Sequence, residues 1–400
     1  MLRRNIILSS VFVALLILVL LTLIFFGKCC FSDYCEIPLK IHDQNLIYAS
    51  SEERKFLYSR DGDAIAVDRG QSVILGCPGS KLITGVAYSG AECLTETNFR
   101  IFQDNVDITS LSCADRSKVT ARYTGNSCER NGIEIEIGFD FGDFFIRQMR
   151  VCFDETEQST LYSEHNLTQY IENHEQTGKP YFEEGNFYKI PNKKIYQLYS
   201  RKMQRETINK QLNLLPNSDD IIKNDSNFFL SRGHLAPRGD FYYGLQMNAS
   251  FYYVNSAPQW AVINSESWNS LEMGIRLFAI HNQKDLQIFT GTYGKLNIYG
   301  INLFLYKDNS IQAIPIPEIF WKVVFDPIAK MGIAFVGTNN PFLKKQEVKV
   351  YCKDISSEIS WIKLDNTNVT RGFVYGCDVN DLRNKISFIP QLDIKGILRN

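Results

Sequence analysis

The sequence predicts an α+β protein built on a substantial sheet. Three observations carry this. Between residues 36 and 153, SVILGC, KLITGVAYS, IEIEIGFDF and FFIRQMRVCF are short alternating or β-branched runs punctuated by Gly, Asn and Asp. Further along, LQIFTGTYG, INLFLYK and GIAFVGT repeat that pattern. Between the two groups, NSESWNSLEMGIRLFAIHN has a helical period.

Four hundred residues exceed one ordinary domain, and 44% hydrophobic with 22% charged residues is a globular composition. A formal net charge of −1 excludes a global basic field, so any nucleic-acid partner must be held by a local cluster. Residues 6–26 carry no charge. A run of ~20 apolar residues can span a bilayer as a helix and exceeds an ordinary signal-peptide core. Arg3 and Arg4 precede it, favouring a cytoplasmic N-terminus and a lumenal or extracellular remainder. Residues 1–28 are thus a signal anchor or a long signal peptide, and the length favours the anchor. If uncleaved, residues 6–26 hold the chain to a membrane; if cleaved, it is secreted.

Ten cysteines agree with export. Cys29 and Cys30 abut the apolar run and are either acylated or removed with it. Cys35, Cys77, Cys93, Cys113, Cys128, Cys152, Cys352 and Cys377 form an even set. Cys352–Cys377 is expected as one bridge, with three more among the first six. Zinc is disfavoured, since no CxxC pair has a matching second pair. Asn166, Asn224, Asn248 and Asn368 open N-x-S/T sequons, available if the chain enters the secretory pathway.

The expected domains are a cysteine-rich β domain over 35–153, a polar linker over 154–190 and a larger α+β domain over 191–395. IEIEIGF should be a half-buried strand. His165 and His174 in the linker are expected at the surface. KIYQLYSR reads as a strand, 208–230 as a polar loop, and FYYVNSAPQ as a strand running into a turn. The aromatic runs FYYG and FYYVN are better read as core or sheet surface than as base-stacking platforms.

Asn264, Trp268, Glu272 and Arg276 are four apart, so a continuous helix aligns them in one drifting stripe. Leu271, Ile275, Phe278 and Ala279 form an adjacent apolar stripe. Glu272 and Arg276 alone would be an ordinary exposed ion pair of roughly 0.3–0.5 kcal/mol; Asn264 beside them suggests more. Upstream, SRGHLAPRGDF places His234 before a Pro-Gly turn, and a strand pair would return it to the start of the helix. Imidazole takes a proton from water near neutral pH. A divalent ion held by an amide neutralises phosphate, and guanidinium groups bind the charge of a transition state. That is a toolkit for phosphodiester hydrolysis.

SRGHLAP, VNSAPQ and NSESWNSLEMGIR, in this order and spacing, resemble the DNA/RNA non-specific endonuclease family, the ββα-metal nucleases. SRGHLAPRGDF, PQWAVIN, IPEIFWKVVFD and NNPF are similar to its exported arthropod branch, some of which degrades double-stranded RNA. The likeness covers about 190–390 well and 35–150 loosely. It implies a ββα-metal core on a mixed or antiparallel sheet, preceded by the disulfide-rich β domain and the N-terminal apolar helix. It implies cleavage of DNA and RNA without strong sequence specificity. The alternative is an exported nucleic-acid-binding or receptor protein on a catalytically silent nuclease fold. The resemblance assigns His234 as general base. Asn264 becomes the one direct protein ligand of Mg²⁺, with Mn²⁺ as a substitute, and Glu272 holds metal-bound waters. Arg276 stabilises the transition state or leaving phosphate. Asn255 orients His234 or the phosphate region, and Arg232 contacts phosphate or braces the site. Two departures stand out. Ser231 replaces the commoner Asp, and the further phosphate-binding Arg has three candidates in Arg201, Arg205 and Lys210.

Overall fold

The computed structural model describes residues 33–224, 226–308 and 311–400. The apolar run 6–26, with Cys29 and Cys30, lies outside them. Among the described residues no helix is long and apolar enough to cross a membrane. Two compact units are present. One comprises residues up to Cys77 with Lys81–Asp115; the other comprises Pro78–Ser80 with Arg116–Asn400.

The regular elements of the first unit are strands and one 3-10 turn, Ile108–Ser110, joined by irregular loops. β1 (Tyr34–Pro38) pairs with β3 (Ala64–Asp68). β2 (Ile47–Ser50), β4 (Ser72–Gly76), β5 (Tyr88–Thr95), β6 (Asn98–Ile101) and β7 (Asp104–Asp107) form a sheet in the order β2-β4-β5-β6-β7. Tyr48, Leu75 and Phe99 are buried in a small core. Bridges Cys35–Cys93 and Cys77–Cys113 reinforce it, as suits a unit too small to bury much apolar area.

In the second unit β8 (Thr120–Ser127), β9 (Ile133–Asp140), β10 (Phe145–Asp154) and β11 (Ser159–Leu167) continue into β14 (Leu286–Tyr293) through the β11–β14 pair. β19 (Ile319–Asp326), β20 (Met331–Thr338) and β21 (Val374–Cys377) complete the sheet, ordered β21-β20-β19-β14-β11-β10-β9-β8. Neighbours on this path are antiparallel, and β22 (Gly396–Ile397) adds to β20 in parallel. Smaller ribbons pair β12 (Leu230–His234) with β13 (Ser256–Trp260), β15 (Asn297–Ile298) with β16 (Ile301–Asn302), and β17 (Phe304–Lys307) with β18 (Gln312–Pro315). Cys128–Cys152 and Cys352–Cys377 are both bridged.

This corrects two boundaries. The division falls after Asp115, not at 153, and residues 154–190 contain a central strand of the sheet rather than only a linker. Alternation identifies a strand but not the sheet it joins. β9, expected half-buried, is mostly buried along its length, as an interior strand must be.

KIYQLYSR is likewise not a strand. α1 (Ile195–Leu198) and α2 (Arg201–Gln211) occupy this region and the start of the expected loop. Ser200 caps α2 by accepting from the Met203 N–H. Its buried face is largely polar: Gln204 is fully buried and binds Tyr199 O and Leu230 O, while Asn209 Nδ2 binds three carbonyls from Leu215 to Ser218. A hydrophobic period could not reveal such a helix.

α3 (Gly244–Ala249) and α4 (Asn269–His281) follow β12 and β13, and α5 (Val379–Lys385) lies near the C-terminus. α4 buries Leu271, Ile275, Phe278 and Ala279, as the apolar stripe requires, against Ile288, Phe320, Val324, Ile333 and Phe335 of the sheet. The opposite face packs Tyr162, Phe289, Trp321 and Phe388.

Candidate active site

The site forms where β12, β13 and the helix leading into α4 meet. β12 and β13 pair with Ser231 opposite Gln259 and His234 opposite Ser256. A Cβ at Gly233 would run into the Gln259 side chain, so the ribbon requires glycine between Arg232 and His234. β13 passes through Trp260 directly into a helical segment. Its first turn is Ala261–Ile263, and Asn264–Trp268 is a π-turn before α4 begins. The expected stripe is therefore not one straight row. The wide turn resets Asn264 relative to Glu272, and Trp268, 1% exposed, packs into the core against Phe320. Turns of this kind recur at functional sites.

The helical segment is tied to 231–240 at two points. Asn264 Nδ2 donates to Ser231 Oγ at 3.2 Å, and Ser231 Oγ donates to Gln259 O at 2.9 Å. The second tie lies within α4, where Arg276 Nη1 donates to Asp240 Oδ1 at 2.8 Å. In sequence, His234 lies between the two anchors Ser231 and Asp240. Its ring lies 5.0 Å from both Phe182 and Phe251, and its Nε2 is buried with no hydrogen-bond partner among the described residues. Burial, then the nearby cations Lys179 and Arg238, push the imidazole down to about 4, so it is neutral near pH 7.

Asn255 is fully buried. Its Oδ1 accepts from Ala236 N at 2.9 Å; its Nδ2 donates to Ala236 O at 2.9 Å and to Ser250 O at 3.0 Å. It thus staples the turn immediately after His234. Arg232 Nε donates to Tyr253 Oη at 3.1 Å, and its guanidinium stacks within 5.2–5.6 Å of Phe182, Tyr199 and Tyr253. Aromatic faces hold this cation without neutralising it. The tyrosines of FYYG and FYYVN are buried, consistent with a core role.

Glu272 is half-buried. Burial pushes its carboxyl up to about 7, opposed by the charge of Lys322. Lys322 is 1% exposed on β19, and its Nζ donates to Thr290 Oγ1 at 2.5 Å. Burial lowers its pKa, while Glu272 and Asp240 oppose that shift. Asp240, 4% exposed, also accepts from His165 Nε2 at 2.9 Å. Burial disfavours its charge, but the His165 hydrogen bond and the Arg276 charge bring its carboxyl down to about 2.

Three of these residues were missed by sequence reasoning. Asp240 lies within SRGHLAPRGDF itself. Lys322 was visible as the one cation in the apolar run IFWKVVFD. His165 was expected at the surface but is 2% exposed on β11. Its alternation with Leu161, Ser163 and Leu167, all buried, was the available signal. The upstream basic candidates do not join this cluster through the bonds they make. Arg201 Nη1 binds Lys223 O and Ser226 O at 3.0 Å, and Arg205 Nε binds Ile222 O at 3.1 Å, so both brace the loop before β12. Lys210 is exposed on α2. Of the sequon asparagines, Asn166, Asn224 and Asn368 are exposed and Asn248 is half-buried.

The arrangement offers a neutral imidazole, an amide oxygen, a carboxylate and two guanidinium groups along one ribbon-and-helix unit. With Asn264 Nδ2 engaged by Ser231, the amide presents Oδ1 as a hard oxygen donor, and Glu272 supplies a second. This donor set fits a hydrated divalent cation. The profile of the DNA/RNA non-specific endonuclease family matches residues 135–382. A salivary endonuclease of Lutzomyia longipalpis is 30% identical over 345 residues, 84% of this chain and 78% of that protein. The salivary protein Tsal2A of Glossina morsitans morsitans is 24% identical, over 95% of this chain and 98% of its own length.

Proposed function

The chain belongs to the DNA/RNA non-specific endonuclease family, a hydrolase family acting on nucleic acids, and from that membership we propose the following reaction. The protein is a metal-dependent, sugar-non-specific endonuclease that hydrolyses phosphodiesters of DNA and RNA, double-stranded RNA included. The observation that carries this reading is the double tie of the helix to 231–240, which joins Asn264 and Arg276 to the segment that carries His234.

His234 is the general base. It is neutral in the free protein and takes a proton from the attacking water. A phosphate anion drawn in beside it offsets the cations that depress its pKa, strengthening the base as substrate binds. Asn255 holds the following turn so that the ring does not drift. Arg232, stacked and unneutralised, binds phosphate, and Arg276 meets the charge that develops in the transition state. Asn264 through Oδ1, with Glu272 through water, would hold Mg²⁺, with Mn²⁺ as a substitute. Bound there, the ion supplies charge neutralisation at the phosphate and leaving oxygen. Contacts of this kind read phosphate and not base, so cleavage is without strong sequence preference. The four disulfides support folding in an oxidising compartment and export.

The test is turnover of plasmid DNA and double-stranded RNA by wild type and His234→Ala, with Mg²⁺ and with chelator. His234→Ala is expected to lose about 10²–10⁴-fold in rate. Chelation should abolish cleavage, and Mg²⁺ or Mn²⁺ restore it. Equal turnover by wild type and variant would sink the assignment.

A further inference from the structure

Six residues beyond His234, Asp240 closes the short turn Arg238–Asp240. Each of its carboxylate oxygens is engaged: Oδ1 accepts from Arg276 Nη1 at 2.8 Å, and Oδ2 from His165 Nε2 at 2.9 Å. His165 is fixed by the sheet. β11 is an interior strand with β10 on one side and β14 on the other, and the imidazole packs 5.3 Å from Phe241. A continuous line therefore runs from the sheet through His165 and Asp240 to the guanidinium on α4. Gly239 completes the seat, since a Cβ there would stand 3.0 Å from Arg276 Nη1.

The geometry has a consequence for Arg276. Its side chain is 19% exposed, and a long arginine side chain loses rotamer entropy when it is held in one geometry. Anchoring through Nη1 fixes that chain. Among the described residues no second acceptor engages the guanidinium, so the rest of its fork is left for an incoming anion. A buried ion pair by itself is weak evidence for stability. This one joins the segment carrying His234 to the helix carrying Asn264 and Glu272.

We propose that Asp240 and His165 are positioning residues of the catalytic centre, holding Arg276 so that its free N–H groups face the scissile phosphate. This rests on the reading of Arg276 given above. Asp240 acts through Arg276, and His165 acts through Asp240.

The experiment is steady-state cleavage of a linear DNA duplex by the full chain with Mg²⁺, comparing wild type, Asp240→Asn, Arg276→Ala and the double variant, with thermal melting of each. Arg276→Ala should lower kcat by roughly 10²–10³-fold. Asp240→Asn should lower kcat by about 10–100-fold with KM nearly unchanged, and the double variant should be no slower than Arg276→Ala alone. His165→Gln, tested in the same two backgrounds, probes the line from its far end and serves if Asp240→Asn does not fold. An equal further loss in the Arg276→Ala background would assign Asp240 a general structural role and overturn the proposal, as would wild-type kcat in folded Asp240→Asn. Wild-type activity in Arg276→Ala would instead overturn the role of Arg276, and this proposal with it.

Discussion

Ser231 stands where the family resemblance implies Asp, and its hydroxyl does two jobs at once. It accepts from Asn264 Nδ2 and donates to Gln259 O. A carboxylate could accept from Asn264 but would face the Gln259 carbonyl without a proton to give it. The hydroxyl thus orients the Asn264 amide, Oδ1 outward, while satisfying the β13 backbone. Partners that orient a metal ligand are commonly worth 10–100-fold in affinity or activity. Ser231→Ala is therefore expected to raise the Mg²⁺ concentration for half-maximal cleavage by about tenfold, with little change in melting temperature because the residue is only half-buried. Titrating Mg²⁺ against the cleavage rate checks this. An unchanged Mg²⁺ requirement would remove Ser231 from the account of Asn264.

The helix was the most legible element in the sequence, and its departure from ideality is informative. The apolar positions Leu271, Ile275, Phe278 and Ala279 follow the α-helical period and are buried as that period requires. The polar stripe assumed the same period back to Asn264, and there the structure differs, because Asn264–Trp268 is a wide turn. No local signal distinguishes such a turn from α-helix; it follows from seating Trp268 between Phe320 and Gly337 while Asn264 reaches Ser231. Removing one residue from the turn, by deleting Ser265, should let the helix run on as α and rotate Asn264 away. Loss of at least about tenfold in Mg²⁺-dependent activity is expected, with α-helical circular dichroism retained. A deletion variant with full activity would mean that the wide turn has no part in setting the site. α2 was illegible for another reason. Its burial is satisfied by hydrogen bonds from the polar side chains Gln204 and Asn209, and hydrophobic periodicity is blind to that.

At the scale of the molecule, the sequence marked where strands and bridges lie but not how they divide. Strands β8–β11 share the cysteine content and alternation of β1–β7, yet they extend the sheet that supports the site. Only pairing partners distant in sequence, such as β11 with β14, decide this. The second unit carries all the proposed catalytic groups and the His165–Asp240–Arg276 line. It also has its own bridges, Cys128–Cys152 and Cys352–Cys377, and core clusters on both sides of the sheet. Residues 116–400, expressed through a secretory route, should therefore fold cooperatively. They should cleave DNA and RNA within a few-fold of the full chain, since phosphate contacts and the reacting groups come from one unit. A fragment beginning at 154, the boundary suggested by cysteine content, should fail. It lacks β8–β10 and both cysteines of the Cys128–Cys152 bridge, and leaves the edge of β11 unpaired. Comparing melting curves and cleavage rates of the two fragments separates the alternatives. A folded but inactive 116–400 fragment would mean that residues before Arg116 contribute directly to substrate binding or chemistry.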